Sequence, residues 1–179
     1  MGWLGSSRHN IEALVEAHYT TLFRYAYRLS GSCQEAEDLT QETFCKAQSK
    51  LPELREPDKA KSWLFTILRN TYLHRLRSSK IEKQVSLDGV GELPERTSDS
   101  LPEVDSAQLQ AALNELPEMF RTPIILYYFE DFSYKDIAEH MNVPMGTVMS
   151  RLARAKTFLR QRLLGQVESV ERANRGEEA

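Results

Sequence analysis

The chain has 179 residues, of which 41% are hydrophobic and 27% charged, and its formal net charge at pH 7 is −3. This composition is typical of soluble globular proteins, and neither a membrane-spanning apolar run nor a signal-peptide pattern occurs, which predicts a cytoplasmic location without membrane insertion. Cys33 and Cys45 lack a CxxC partner and the 4 histidines are scattered, so we expect partly buried thiols, no metal, no cofactor and no enzymatic centre.

The first eighty residues have apolar side chains at the three- and four-residue spacing that predicts helices. A first helix ends at Ser30 and Gly31. Ser32 can cap a second helix, with a buried stripe formed by Ala36, Leu39, Phe44 and Ala47. Asp58 can cap a third helix over about 59–79, which is built on Trp63, Leu64, Ile67, Leu68, Tyr72 and Leu76.

Charge is distributed in blocks along the chain. Residues 59–83 hold seven basic residues against one acidic residue, and residues 145–164 hold five basic residues and no acidic one. Between these blocks, residues 84–106 hold six acidic residues against one basic residue, with two glycines, two prolines and no helical spacing. We therefore predict an all-α fold in which a flexible acidic linker, 81–105, joins two small helical domains, 8–80 and 106–164.

The second domain is predicted to contain a helix-turn-helix. Ser133 and Asp136 have the spacing of a capping box, and Asn142 begins a tight turn before a long basic helix over about 145–164. The side chains spaced to pack the two helices together are Ile137, Ala138, Met141, Val143, Val148 and Leu152. The tail, 165–179, is expected to be disordered.

In a helix-turn-helix, the first residues of the second helix face base edges in the major groove. Thr147, Ser150, Arg151 and Arg154 occupy this half of the helix and can reach bases or phosphates. The alternative is a solvated helix within a bundle. Solvated faces usually mix both signs of charge, so the absence of acidic residues favours DNA binding.

Three stretches, in this order, resemble the bacterial extracytoplasmic-function sigma factors. "AEDLTQETFCKA" is similar to the family's helix that docks on core RNA polymerase, and "AKSWLFTILRNTYLHRLR" is similar to its segment that reads the −10 element. "FSYKDIAEHMNVPMGTVMSRLARAK" is similar to its promoter-reading helix-turn-helix. The resemblance covers about residues 8–164, and it implies a sigma factor that binds core polymerase and promoter DNA.

The resemblance also implies roles for individual residues. The expected −35 contacts are Lys135, Thr147, Met149, Ser150, Arg151, Arg154 and Lys156. The expected −10 contacts are Lys61, Trp63, Arg69, Asn70, Arg75 and Arg77. The expected polymerase contacts are Asp38, Gln41, Glu42 and Phe44. By the same resemblance, Asn70 and the loop 51–58 capture a base flipped from the −10 element, the acidic linker threads the RNA channel of the polymerase, and an anti-sigma factor is a common partner.

Aromatic residues accompany the basic residues of the third helix. A surface that combines aromatic rings with basic side chains suits single-stranded DNA, because the rings stack on nucleobases and the cations attract phosphates. The aromatic residues in question are Trp63, Phe65 and Tyr72. For Trp63, however, burial in the core is the expectation, because tryptophan is largely buried in most proteins. On charge alone, the acidic face of the second helix fits a solvated surface as well as a basic partner.

One position departs from the family pattern in the recognition helix. Met149 stands where the family usually has Arg or Lys, and methionine cannot pair with a phosphate, although it can touch a thymine methyl group. We therefore predict a −35 preference that is altered at one position. The alternative function is a stand-alone helix-turn-helix regulator that binds duplex DNA without polymerase. An enzyme with a DNA-binding appendage is disfavoured, because no nucleophile–base set or phosphate loop occurs.

Overall fold

The computed structural model describes the backbone of residues 10–82 and 106–174, and the side chains of 10–78 and 106–164. Every regular element in these ranges is helical, which confirms the all-α fold class. The described residues divide into two compact units, one before and one after the segment 83–105. Most of the predicted linker and the end of the predicted tail therefore lie outside the described residues.

The first unit consists of three helices, α1 (Ile11–Ser30), α2 (Cys33–Lys50) and α3 (Ala60–Glu82). Gly31 ends α1 with a left-handed φ of 75°, a conformation that glycine adopts without steric cost. The Ser32 hydroxyl accepts a hydrogen bond from the Glu35 backbone N–H at 3.3 Å and so caps α2, as the sequence predicts. Two short 3-10 turns, Leu51–Glu53 and Pro57–Lys59, connect α2 to α3.

The core of the first unit lies where α1 and α3 pack against α2. Tyr25 of α1 stacks on Phe65 of α3 with ring centroids 4.6 Å apart, and both rings are fully buried. The Tyr72 hydroxyl donates a hydrogen bond of 2.8 Å to the carbonyl oxygen of Leu29, which satisfies a buried polar group across the core. The other fully buried apolar residues are Leu22, Ala26, Leu29, Ala36, Leu39, Ala47, Leu64 and Leu68.

Several predictions for the first unit are wrong in detail. Asp58 does not cap α3, because it lies inside a 3-10 turn whose first flanking residue is Glu56. The rings of Phe65 and Tyr72 are buried, so neither can stack on DNA bases. Cys33 and Cys45 are exposed rather than partly buried: Cys33 is the first residue of α2, and Cys45 lies on the side of the helix opposite its buried stripe.

The second unit consists of four helices, α4 (Ser106–Glu115), α5 (Glu118–Phe129), α6 (Tyr134–Met141) and α7 (Met145–Asn174). Arg121 of α5 closes the end of α4, since its guanidinium donates to the carbonyl oxygens of Asn114 at 3.0 Å and Leu116 at 2.8 Å. These carbonyls have no partner within α4. The core is formed by Leu113, Leu116, Ile124, Ile125, Leu126, Ile137, Val148, Ala155, Leu159 and Leu163.

Helices α6 and α7 form the predicted helix-turn-helix. Ser133 and Asp136 make both hydrogen bonds of a capping box, and Asn142 turns the chain with a left-handed φ of 54°. The backbone of α7 remains helical to Asn174 rather than ending near Gly165. A single glycine costs only about 1 kcal/mol in a helix interior, and the following "QVESVERAN" contains no proline. In the described ranges, none of the helices has the length and apolar content needed to span a membrane.

Candidate nucleic-acid interface

The first half of α7 has one face in the core and one face in solvent. Val148, Leu152 and Ala155 are buried against the rest of the unit. The opposite face is exposed at Gly146, Met149, Ser150, Ala153 and Arg154, which follow the helical spacing of three and four residues. A helix anchored in this way presents a fixed row of side chains outward, which is what docking into a DNA groove requires.

The basic residues of α7 are divided between this outward face and its edges. Arg154 is exposed, and no ion pair to an acidic residue in the described part of the chain involves it or Arg151. Arg151 is half-buried on one edge, four residues beyond the half-buried Thr147. Lys156 is half-buried on the other edge, seven residues and thus two turns beyond Met149. The face therefore has cations along both edges.

Two further candidate −35 contacts have defined surroundings. Lys135 is exposed in the first turn of α6, two residues after the capping residue Ser133. The Ser150 hydroxyl donates a hydrogen bond of 3.0 Å to the carbonyl oxygen of Thr147. Its oxygen keeps the capacity to accept a hydrogen bond, for example from the amino group of a base.

On α2, the candidate polymerase contacts separate into surface and core residues. Asp38 and Gln41 are exposed and lie on the same side of the helix as Cys45. Phe44 is only 8% exposed and stacks with Tyr19 of α1, the ring centroids being 6.4 Å apart. The Phe44 ring is thus packed between helices, which does not favour the predicted polymerase contact at Phe44, and Asp38 and Gln41 are the exposed members of the set.

Glu42 and Arg75, which the sequence assigns to two different surfaces, pair with each other. Arg75 Nε donates to Glu42 Oε2 at 3.1 Å, and an Nη2 contact completes the pair. Lys46 lies 2.7 Å from the other carboxylate oxygen and also donates to Thr71 Oγ1 at 3.0 Å. The hydrogen bond from Lys46, followed by that from Arg75, lowers the pKa of Glu42 against the opposing effect of burial. This network joins α2 to α3.

A cleft of about 310 Å³ opens beside the start of α3. Its walls come from the loop before the helix and from one face of the helix, and they are formed by Glu53, Leu54, Arg55, Glu56, Lys59, Ser62, Trp63 and Thr66. Trp63 is half-buried and forms part of the wall, so the expectation that it lies in the core is wrong. Leu54 and Arg55 belong to the loop 51–58, which the family resemblance assigns to the −10 site, and both form part of the cleft wall.

The candidate −10 residues of α3 lie on different faces. Trp63, Asn70 and Arg77 are seven residues apart and share one line along the helix, and Asn70 and Arg77 are exposed. Lys61 lies on the opposite side, with its ammonium 5.6 Å from the centroid of the Phe65 ring. Arg75 is held by the α2 carboxylate described above, and Arg69 is half-buried on a flank. The structure therefore brings only part of the set together.

Within the described ranges, no group of three or more His, Cys, Asp or Glu side chains is placed to hold a metal ion. Burial, and then the positive charge of Lys61, lower the pKa of His18, which favours its neutral form.

Comparisons with known proteins agree with this arrangement. Residues 14–81 match the family model for sigma-70 region 2, and residues 106–159 match that for sigma-70 region 4. The chain is 31% identical over 166 residues to the ECF RNA polymerase sigma factor SigW of Bacillus subtilis, an alignment that covers 84% of this chain and 87% of SigW. It is 36% identical over 159 residues to SigE of Mycolicibacterium smegmatis, but spans only 61% of that protein's length.

A solved structure supports the same relationship. The sigma factor RpoE of Bartonella quintana, crystallised with the anti-sigma factor NepR, superposes with a TM-score of 0.71 at 31% identity. The match covers 85% of this chain and 95% of that one. CnrH, solved in complex with the cytosolic domain of CnrY, shares the fold with a TM-score of 0.60 at 22% identity. The chain therefore belongs to the extracytoplasmic-function family of RNA polymerase sigma factors.

Proposed function

We propose that this chain binds core RNA polymerase and directs it to promoters, with its first unit reading the −10 element and its second unit reading the −35 element. The observation that carries the proposal is the outward face of α7. It presents cations along both edges in a helix-turn-helix whose opposite face is locked in the core. The two sigma-70 regions matched along the chain support the division of labour between the units.

In the second unit, α7 enters the major groove of the −35 element. Arg154 and Arg151 supply charge for phosphates or for guanine edges, and Lys135 supplies charge from α6. Thr147 and Ser150 offer small polar groups close to the start of the helix. Because phosphate contacts release counterions, complex formation should weaken steeply as salt is raised.

In the first unit, the cleft beside α3 receives a base that has left the duplex. The cleft combines the indole of Trp63, an apolar surface for stacking, with charged and hydroxyl groups of the loop and helix. Asn70 lies one turn beyond Thr66 on the same face, where its amide can extend recognition to the next part of the strand. Flipping a base costs a few kcal/mol, and contacts of this kind offset that cost.

The exposed face of α2, with Asp38 and Gln41, docks on a basic surface of the polymerase. Glu42 belongs to the edge of this face, but its carboxylate is shared with Lys46 and Arg75. We further infer a cytoplasmic protein without catalytic chemistry or cofactor of its own, because its task is to supply binding surfaces to an enzyme. We also infer that an anti-sigma factor binds this chain, as NepR binds RpoE in the solved complex.

Run-off transcription tests the proposal directly. Core RNA polymerase is incubated with linear templates whose upstream region is randomised, with and without the protein, and the transcripts are sequenced. Discrete start sites that require both components, preceded by two shared sequence elements at a fixed spacing, are expected. Tight, sequence-specific duplex binding by the protein alone, with no new start sites, would instead support a stand-alone regulator.

A variant at Asn70 tests the role of the first unit. Asn70→Ala should leave closed-complex formation on duplex promoter DNA unchanged and reduce the permanganate reactivity of −10 thymines. Thr20→Ala, an exposed substitution on α1, serves as the control and should change neither. Equal permanganate reactivity in all three proteins would remove Asn70 from the melting step.

A further inference from the structure

Two methionines occupy the outward side of the recognition helix. Met145 is 51% exposed and Met149 is 47% exposed, which makes them the most exposed of the large hydrophobic side chains in the described residues. They are four residues apart, in the first two turns of α7, so their side chains lie next to each other on the surface. An apolar pair at this place needs an explanation, because the rest of the face is small or polar.

The surroundings of the pair are open. Gly146 lies between the two methionines, and a Cβ atom added there would meet nothing within 4 Å. No side chain of the unit therefore covers this part of the helix at Gly146. Lys156 follows two turns beyond Met149, and the exposed Arg154 lies one turn along on the neighbouring side. Any partner must accept an apolar contact at the methionines and cations both along the same side of the helix and on the neighbouring side.

The major groove of DNA has this combination of features. Phosphates line its edges, and the C5-methyl group of thymine is the apolar group that it presents among hydrogen-bonding base edges. We propose that Met149, with Met145 beside it, contacts a thymine methyl group in the −35 element and thereby selects an A·T pair at that position. This inference rests on the proposed function and adds the chemical group that the recognition helix reads.

A protein partner is the competing occupant, because flexible methionines are common on surfaces that bind several proteins. The charge pattern favours DNA. No acidic residue occurs between 145 and 164, and basic residues clustered along one helix match the phosphates that line the DNA groove. The two occupants differ in one chemical respect that can be tested, since only DNA binding through a methyl group is sensitive to the exchange of thymine for uracil.

The experiment uses the complete chain with core RNA polymerase on the promoter obtained from the randomised templates. Each thymine of the −35 element, on both strands, is replaced singly by uracil, which removes the methyl group and leaves the hydrogen-bonding groups unchanged. At one or two positions, uracil should weaken complex formation about fourfold, as expected for about 0.8 kcal/mol per buried methyl-sized group. Met149→Ala should abolish this uracil effect, and Met149→Leu should retain it.

Met119→Ala is the matched control, since Met119 is 42% exposed but lies on α5 outside the recognition helix. It should keep the full uracil effect. A −35 element without thymine, equal binding of thymine and uracil templates, or an unchanged uracil effect in Met149→Ala would each overturn the inference. Weaker polymerase binding by Met149→Ala without any uracil effect would identify a protein partner. If no polymerase-dependent promoter is recovered at all, the proposed function itself fails.

Discussion

Replacing Arg75 by Gln should destabilise the first unit without changing how promoter binding depends on salt. Arg75 donates two hydrogen bonds to one oxygen of Glu42, so it acts as a link between α2 and α3 rather than as a free cation. The side chains of Arg75 and Glu42 are 34% and 35% exposed, so solvent screens the pair considerably. We therefore expect a coupling free energy between Arg75 and Glu42 of about 1 kcal/mol, near the upper end of the range for ion pairs at the surface.

A double-mutant cycle measures this coupling. Urea unfolding of the complete chain is followed by tryptophan fluorescence for the wild type, Arg75→Gln, Glu42→Gln and the double variant. Trp63, the tryptophan in the described part of the chain, is half-buried in α3, so its fluorescence reports on the first unit. The losses in unfolding free energy of the two single variants, added together, should exceed the loss of the double variant by about 0.5–1 kcal/mol. A coupling below about 0.2 kcal/mol would refute the structural role of the pair.

The predicted salt dependence of promoter binding is tested with Arg77→Gln as a matched control, because Arg77 is exposed on the Asn70 face of the same helix. A phosphate contact contributes about 0.7–0.9 to the slope of log K against log salt. In complexes with polymerase and promoter DNA, Arg77→Gln should reduce that slope by about this amount, and Arg75→Gln should not. A reduction for Arg75→Gln equal to that of Arg77→Gln would show that the guanidinium leaves Glu42 to bind DNA.

Three other predictions follow from local contacts. Ser133→Ala removes the capping box and should cost about 1 kcal/mol in thermal unfolding of the second unit, whereas Ser150→Ala should be close to neutral. Arg121→Ala should cost about 1.5–3 kcal/mol in the same assay, because it leaves carbonyls at the end of α4 unpaired. The pKa of His18 is lowered, so stability should fall as pH drops below its ordinary value of about 6.5, and His18→Asn should flatten that part of the pH profile.

Periodicity and capping chemistry are local properties, which is why they predict the helices well. Ser32, Gly31 and the Ser133–Asp136 pair act within a few residues, so their roles can be seen without tertiary information. The sequence predicts the end of α7 less well, because one glycine at 165 lowers helix stability without ending the helix. Asp58 shows the same limit, because a 3-10 turn and an α-helix begin with similar residues.

The candidate sites are harder to predict, because residue type does not show which helix face a side chain occupies against its neighbours. Phe44 lies close to exposed residues of α2 in sequence, but α1 covers its ring. Trp63 shows the reverse case, since the loop before α3 leaves its indole at a cleft instead of enclosing it. Both results depend on packing between helices, which spacing within one helix cannot show.

The count of basic residues in 59–83 consequently overstates the charge that the first unit offers to DNA. Lys61 faces the Phe65 ring and Arg75 faces a carboxylate, and Lys59 is paired with Glu56 at 3.0 Å. Among the side chains that the structure describes in this segment, the Asn70 face holds a cleft and the exposed Arg77, a surface better suited to reading an exposed strand than to capturing a duplex. Such a surface needs another component to bring the DNA to it, which fits a protein that reads promoters together with polymerase and depends on α7 for duplex contacts.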